Sequence, residues 1–321
     1  MPGISGLRAW WADRPPAAGA AVMATGVLSV GLRLTGAEAL SRVTLAMACV
    51  AWVALAADFV LRLFAERQRW VVEAGSPGAL AAVAATTVLG TRISALGRQT
   101  LAEALLALAA LLWPVLLPLV VRHWRRRMPG AVFLCCVAPQ GLAVLAATLA
   151  AAESRAWLAH TALVLFWLGL VLYGFALAHF DVRQVLEGAG NQWIAGGALA
   201  ISALAGAKLL VAGDDAGLYL WDDDDRGVLR AVTVALLVLD LAWYLVLLAA
   251  EAVRPRLGYD ERRWSTVFPM GMTAAALSAA TAVGFPWLRW PGRVLLWAAV
   301  AVWLAVAAGA VRAARTAGGD G

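Results

Sequence analysis

Polar and charged side chains are scarce in this chain, and those that fall inside long apolar runs carry what chemistry it has. Lys208 is the only lysine and lies toward one end of the run 193–212, while Arg92 closes the run 78–94 on the same side. A cation at the end of an apolar segment either attracts anions or snorkels its head to the lipid interface. Gln140, beside Pro139, offers an amide N–H to an anion or a hydrogen bond to a neighbouring helix. Pro139 and Pro269 each free a backbone carbonyl and kink a helix, which either shapes a cavity and aims backbone dipoles or serves packing alone. Pro114 and Pro118 interrupt another run, so proline by itself does not mark the chemistry. Phe268 sets an aromatic ring among small residues, either as a core side chain or as the plug of a narrow apolar passage, which excludes ions by dewetting. Asp58 and Asp240 are carboxylates within apolar runs. They either relay protons or form structural pairs, Asp58 with Arg62.

Other chemistries find little support. His123, His160 and His179 fall near the ends of apolar runs without the spacing of a metal site. Cys49, Cys135 and Cys136 are an odd number inside apolar runs, which argues against a disulfide framework. No glycine-rich phosphate loop and no hydrolase signature occurs. The expectation is a chain with no catalytic residues, no metal and no cofactor.

These residues must be positioned by membrane helices. The chain has 321 residues, 63% hydrophobic and 14% charged, with a net charge of +6 and a mean hydropathy of +0.79. A soluble domain is about 45–50% apolar and about 25% charged. The apolar residues cluster in stretches of the length needed to cross about 30 Å of hydrocarbon, where the backbone must be helical. The basic excess is almost all arginine in short loops, as topology signals require, and does not point to nucleic acid. Spans are expected at 17–34, 40–64, 78–94, 101–121, 131–151, 157–180, 193–212, 228–250, 264–284 and 288–312. The division is a cytoplasmic N-terminus (1–16), a ten-helix membrane domain (17–312) and a cytoplasmic tail (313–321). The first run reads as a span rather than a cleaved signal. Most arginines fall on the side of the two termini, which places both in the cytoplasm of a cell with an inner (plasma) membrane. The run Asp222–Asp225 then reads as a solvated outer loop or, less simply, a cation site.

The spans alternate in kind. Among the odd-numbered ones the only rings are Phe133, Trp193, Trp264 and Phe268, whereas the even-numbered ones are rich in Trp, Phe and Tyr. Glycine shows the opposite bias. Small residues let backbones approach closely. The expected fold is therefore all-α: five helical hairpins, with the odd helices as an inner ring around a central pore and the even helices outside.

Several segments, in order, carry a family likeness: Met23–Ser29, Thr86–Arg92, Val137–Ala143, Trp193 with Ala200–Gly206, and Trp264–Met272. Together they make the chain resemble the tellurite-resistance/C4-dicarboxylate transporter family. That family includes plant guard-cell slow anion channels and fungal malate and sulfite transporters. The resemblance spans about residues 17 to 312, and Trp264–Met272 is its most specific part. It implies ten helices in five hairpins around a pore, often as a homotrimer with one pore per protomer, in a lipid bilayer. It implies a phenylalanine of the ninth helix that occludes the pore, matched by Phe268, and a close-packing glycine of the first helix, matched by Gly26. It also implies small anions as cargo: chloride, nitrate, sulfite or dicarboxylates.

Three functions follow as expectations. The first is a passive anion channel or facilitative transporter gated by Phe268, with Gly26, Arg92, Pro139, Gln140, Lys208 and Pro269 lining the path or attracting anions. The second is a proton-coupled dicarboxylate or sulfite carrier using Asp58 or Asp240. The third is a membrane enzyme or structural subunit, which would need a convergent polar cluster.

Overall fold

A computed structural model describes residues 18–214, 223–255 and 258–319. Every regular element among them is helical, and the one β-bridge, Met128 to Phe180, is isolated. Ten principal helices follow one another: α1 (Ala18–Leu34), α2 (Glu38–Ala65), α3 (Leu80–Ser94), α4 (Gln99–Val121), α5 (Leu134–Glu153), α6 (Ala156–His179), α7 (Ile194–Ala212), α8 (Asp223–Val253), α9 (Trp264–Ala280) and α10 (Arg289–Gly319). Eight are long and apolar enough to cross a membrane once their adjoining turns are included; α1 and α3 are shorter.

The bounds lie within a few residues of the expected spans, with three differences. The loop after α2 folds into a further helix, Arg67–Ala74, held by Arg62, which bonds Asp58 on its own helix at 2.8 Å and Glu73 at 2.9 Å. Helix α8 begins at Asp223, so Asp223–Asp225 form its first turn rather than a loop. Asp222 and the N-terminal segment 1–16 lie outside the described residues. Helix α10 continues through 313–319 instead of ending before the tail.

Packing sorts the helices into two sets. Each odd-numbered helix packs on the even-numbered one that follows it, and the odd ones close a ring: α1 on α3, α3 on α5, α5 on α7, α7 on α9, and α9 back on α1. Each even-numbered helix also touches the next ring helix, α10 returning to α1. Glycine permits the close approaches. A Cβ on Gly26 would come 2.9 Å from Val88 Cγ1 between α1 and α3. At one end of the ring a Cβ on Gly130 would collide with the Asn191 carbonyl, and one on Gly190 with the Arg262 carbonyl. Gly190 also has φ of 137°, a region that side chains with a Cβ rarely adopt.

Polar ties join the outer helices to the ring. Trp52 Nε1 on α2 donates to Thr86 Oγ1 on α3 at 2.9 Å, and Trp303 Nε1 on α10 donates to Thr25 Oγ1 on α1 at 3.0 Å. These indoles therefore face inward, toward the ring. Ser29 and Ser41 each donate to the other's carbonyl, at 2.7 and 2.6 Å, and lock α1 to α2.

Candidate functional site

The five ring helices all start at the same end of the bundle. Four of them are entered through a single 3-10 turn: Pro77–Ala79, Gly130–Phe133, Asn191–Trp193 and Glu261–Arg263. At that end lies a vestibule of about 610 Å³, lined in part by one residue near the start of each ring helix: Ala20, Ala81, Leu134, Ile194 and Ser265. The positive ends of five helix dipoles therefore converge on it. The rim adds Tyr259, Asp260, Glu261 and Arg262. Arg262 bonds Asp260 through Nε at 3.0 Å and Nη2 at 2.8 Å, and holds its carboxyl below the usual carboxylate range.

A second, much smaller cavity of about 20 Å³ lies further along the ring. Its lining includes Val27, Val88, Gly141, Ile201 and Met272. Each stands seven residues beyond its helix's vestibule residue, from Ala20 to Val27 through to Ser265 to Met272. Seven residues are two turns, about 10.5 Å, on the same helix face. The same cavity touches Val30, Thr91, Val144, Leu204 and Ala275, three residues further on in every helix. One face of each ring helix thus points to a common axis, and the layers can be numbered along it.

Phe268 falls in the layer between the two cavities. It lies three residues past Ser265 and four before Met272, on the axial face of α9, and is 0% exposed. The equivalent positions of the other ring helices are Met23, Ala84, Val137 and Gly197. A Cβ on Gly197 would meet Phe268 Cε1 at 3.0 Å and Pro269 Cγ at 2.8 Å, so α7 leaves out a side chain where the phenyl lies. Lys208 falls seven residues beyond Ile201 and four beyond Leu204, again on the axial face, toward the far end. It makes no hydrogen bond or ion pair among the described residues, and Arg33 of α1 is its charged neighbour.

The remaining candidates face elsewhere. Arg92 is 1% exposed and turns to α2, donating to Ser41 Oγ and Glu38 Oε1, both at 2.8 Å. Glu38 also receives Arg42 at 3.0 Å and Arg33 at 3.9 Å. Gln140 turns to α6, where Nε2 donates to the Phe166 carbonyl at 3.0 Å against Gly169. Pro139 and Pro269 sit in helices that continue through them. Asp58 pairs with Arg62, as one of its two readings expected. Asp240, on outer helix α8, is buried against the ring, where Thr273 Oγ1 of α9 donates to Oδ1 at 3.1 Å and Oδ2 has no partner. His123, His160 and His179 each bond the carbonyl four residues back on their own helix.

The residue-by-residue reading missed Thr87 and Thr91, which bring the only side-chain polar atoms to the small cavity. Both hydroxyls donate to their own helix, to the Ala84 carbonyl at 2.9 Å and the Thr87 carbonyl at 2.8 Å. Thr91 stands ten residues beyond Ala81 in the register shared by the ring helices, whereas Thr87 lies one position off that register and no sequence signal marks it.

A family model described as "voltage-dependent anion channel" matches residues 14–311. No curated protein matches the chain.

Proposed function

The chain belongs to the voltage-dependent anion channel family, and from that premise we propose that it is a ten-span facilitator of small anions whose axial path is occluded by Phe268. The five hairpins of this reading pair α1 with α2, α3 with α4, and so on around the ring. Both termini face the cytoplasm across the inner (plasma) membrane, so the vestibule is the cytoplasmic mouth. Anions gather there at five helix starts, pass the Phe268 layer, and leave past Lys208, whose charge on the axial face is uncompensated. Few fixed charges line the way, which suits a path that ions must also leave. Arg92, Gln140 and Asp58 take structural parts: Arg92 and Gln140 each donate to an outer helix, though Arg92 Nη1 and Gln140 Oε1 stay without a partner, and Asp58 pairs with Arg62. The trimer is carried by the family likeness, with exposed apolar faces of the even helices available to lipid and to neighbouring protomers.

The observation that carries the reading is the position of Phe268 on the axis between two cavities. Liposome flux with a panel of chloride, nitrate, sulfite and a C4-dicarboxylate tests it. Phe268→Ala is expected to raise the flux of at least the smaller anions well above wild type. Unchanged flux from a well-folded variant sinks the gate.

Asp240 favours a second reading, a proton-coupled carrier, because a buried carboxyl with one bare oxygen is the kind of group that carries a proton within a membrane. An imposed pH gradient separates the two. The passive reading expects flux indifferent to the gradient in both wild type and Asp240→Asn; gradient-driven accumulation lost in Asp240→Asn would replace it with the carrier.

A further inference from the structure

We propose that the axial path holds a second constriction, made of aliphatic side chains on the far side of Phe268. It rests on the pore reading above and adds a barrier to it. The small cavity begins at the layer of Ile201 and Met272 and is bounded one turn later by the layer of Val30, Thr91, Val144, Leu204 and Ala275. In that layer Thr91 directs its hydroxyl to its own helix, so Val30, Val144 and Leu204 present the bulk of the surface. All three side chains sit in ring helices, and Leu204 is 3% exposed.

Volume decides what this layer does. The cavity of about 20 Å³ has room for about one water, and none for an anion with part of its hydration shell. Phe268 lies one turn toward the vestibule and is not among the residues that line this cavity. Withdrawing its ring joins the vestibule to the cavity, but leaves the other end closed by aliphatic groups. Such a closure excludes ions by dewetting, without any help from an aromatic ring. The first charge on the axis, Lys208, stands one turn beyond it. The path thus has two barriers in series, and the higher one sets the rate.

The experiment measures chloride efflux from liposomes carrying wild type, Phe268→Ala, Leu204→Ala and the double variant, each first shown to be monodisperse in detergent. The expected order is wild type and Leu204→Ala low, Phe268→Ala higher, and the double variant several-fold above Phe268→Ala. Val144→Ala replaces Leu204→Ala if the latter fails to fold, and carries the same expectation. Ala275→Leu in the Phe268→Ala background narrows the same layer and is expected to lower the flux again. A double variant no faster than Phe268→Ala overturns the second constriction and leaves the pore reading standing. Leu204→Ala alone as fast as the double variant overturns the series arrangement. No efflux from any well-folded variant overturns both the constriction and the pore.

Discussion

The segments Glu38–Ala65 and Gly130–Glu153 are almost equally apolar, with mean hydropathies of 2.1 and 2.0 over their most apolar stretches, yet 11% of the first stretch is buried against 94% of the second. The same split separates Asn191–Ala212, at 89%, from Ala156–His179, at 22%. Hydropathy therefore governs entry into the bilayer and says nothing of where in the bundle a helix ends up. Side-chain size decides that. In lipid no hydrophobic force draws helices together, so close van der Waals packing selects the slender ones for the centre. The bulky ones surround them, and only particular groups, such as the Trp52 and Trp303 indoles, reach in to grip ring hydroxyls.

Substitutions on the two sets should differ in cost, and the largest belongs to the ring. Gly197→Val puts a branched side chain against Pro269 and Phe268 and is expected to cost about 1–3 kcal/mol as an overpacked core. Thermal unfolding in detergent checks this. Part of the loss should return in the Phe268→Ala background, and no recovery would mean that the phenyl does not fill the space left by Gly197. Next comes the link between the sets. Trp52→Phe removes the donor to Thr86 while keeping a ring, and should cost about 0.5–1.5 kcal/mol. A smaller effect falls on transport. Lys208→Gln is expected to lower anion flux a few-fold, and Lys208→Arg, which keeps the charge, to leave it near wild type. A loss in Lys208→Arg as large as in Lys208→Gln would assign Lys208 to packing instead. The least effect belongs to the outer surface. Phe64 is 84% exposed, and Phe64→Leu should stay within about 0.5 kcal/mol of wild type. A loss as large as that of Gly197→Val would erase the distinction between ring and shell.

The all-helical, membrane-spanning character was legible because it depends on properties a sequence displays directly: the length of apolar runs, and glycine against aromatic content. Phe268 and Lys208 stood out for the same reason, being rare residue types in their surroundings, and their roles remain proposals. Arg92 and Gln140 were harder. Whether a polar side chain near a helix end faces an axis or a neighbour depends on the rotation of that helix, and that is set by partners such as Glu38 and Phe166 far along the chain. Asp58 offered its partner four residues away, within sight of the sequence. The helix Arg67–Ala74 escaped because it is short and polar, and owes its position to the bond between Glu73 and Arg62.

The shared direction of the five ring helices gives the proposed passage a built-in polarity. Amide groups point toward the vestibule and carbonyl groups toward the opposite mouth, so an anion meets a favourable potential on one side and an unfavourable one on the other, softened there by Lys208 and Arg33. Inward and outward movement of the same ion then start from wells of unequal depth. If the proposed path conducts once Phe268 yields, it is expected to rectify under symmetric solutions, carrying more current at one voltage sign than at the other.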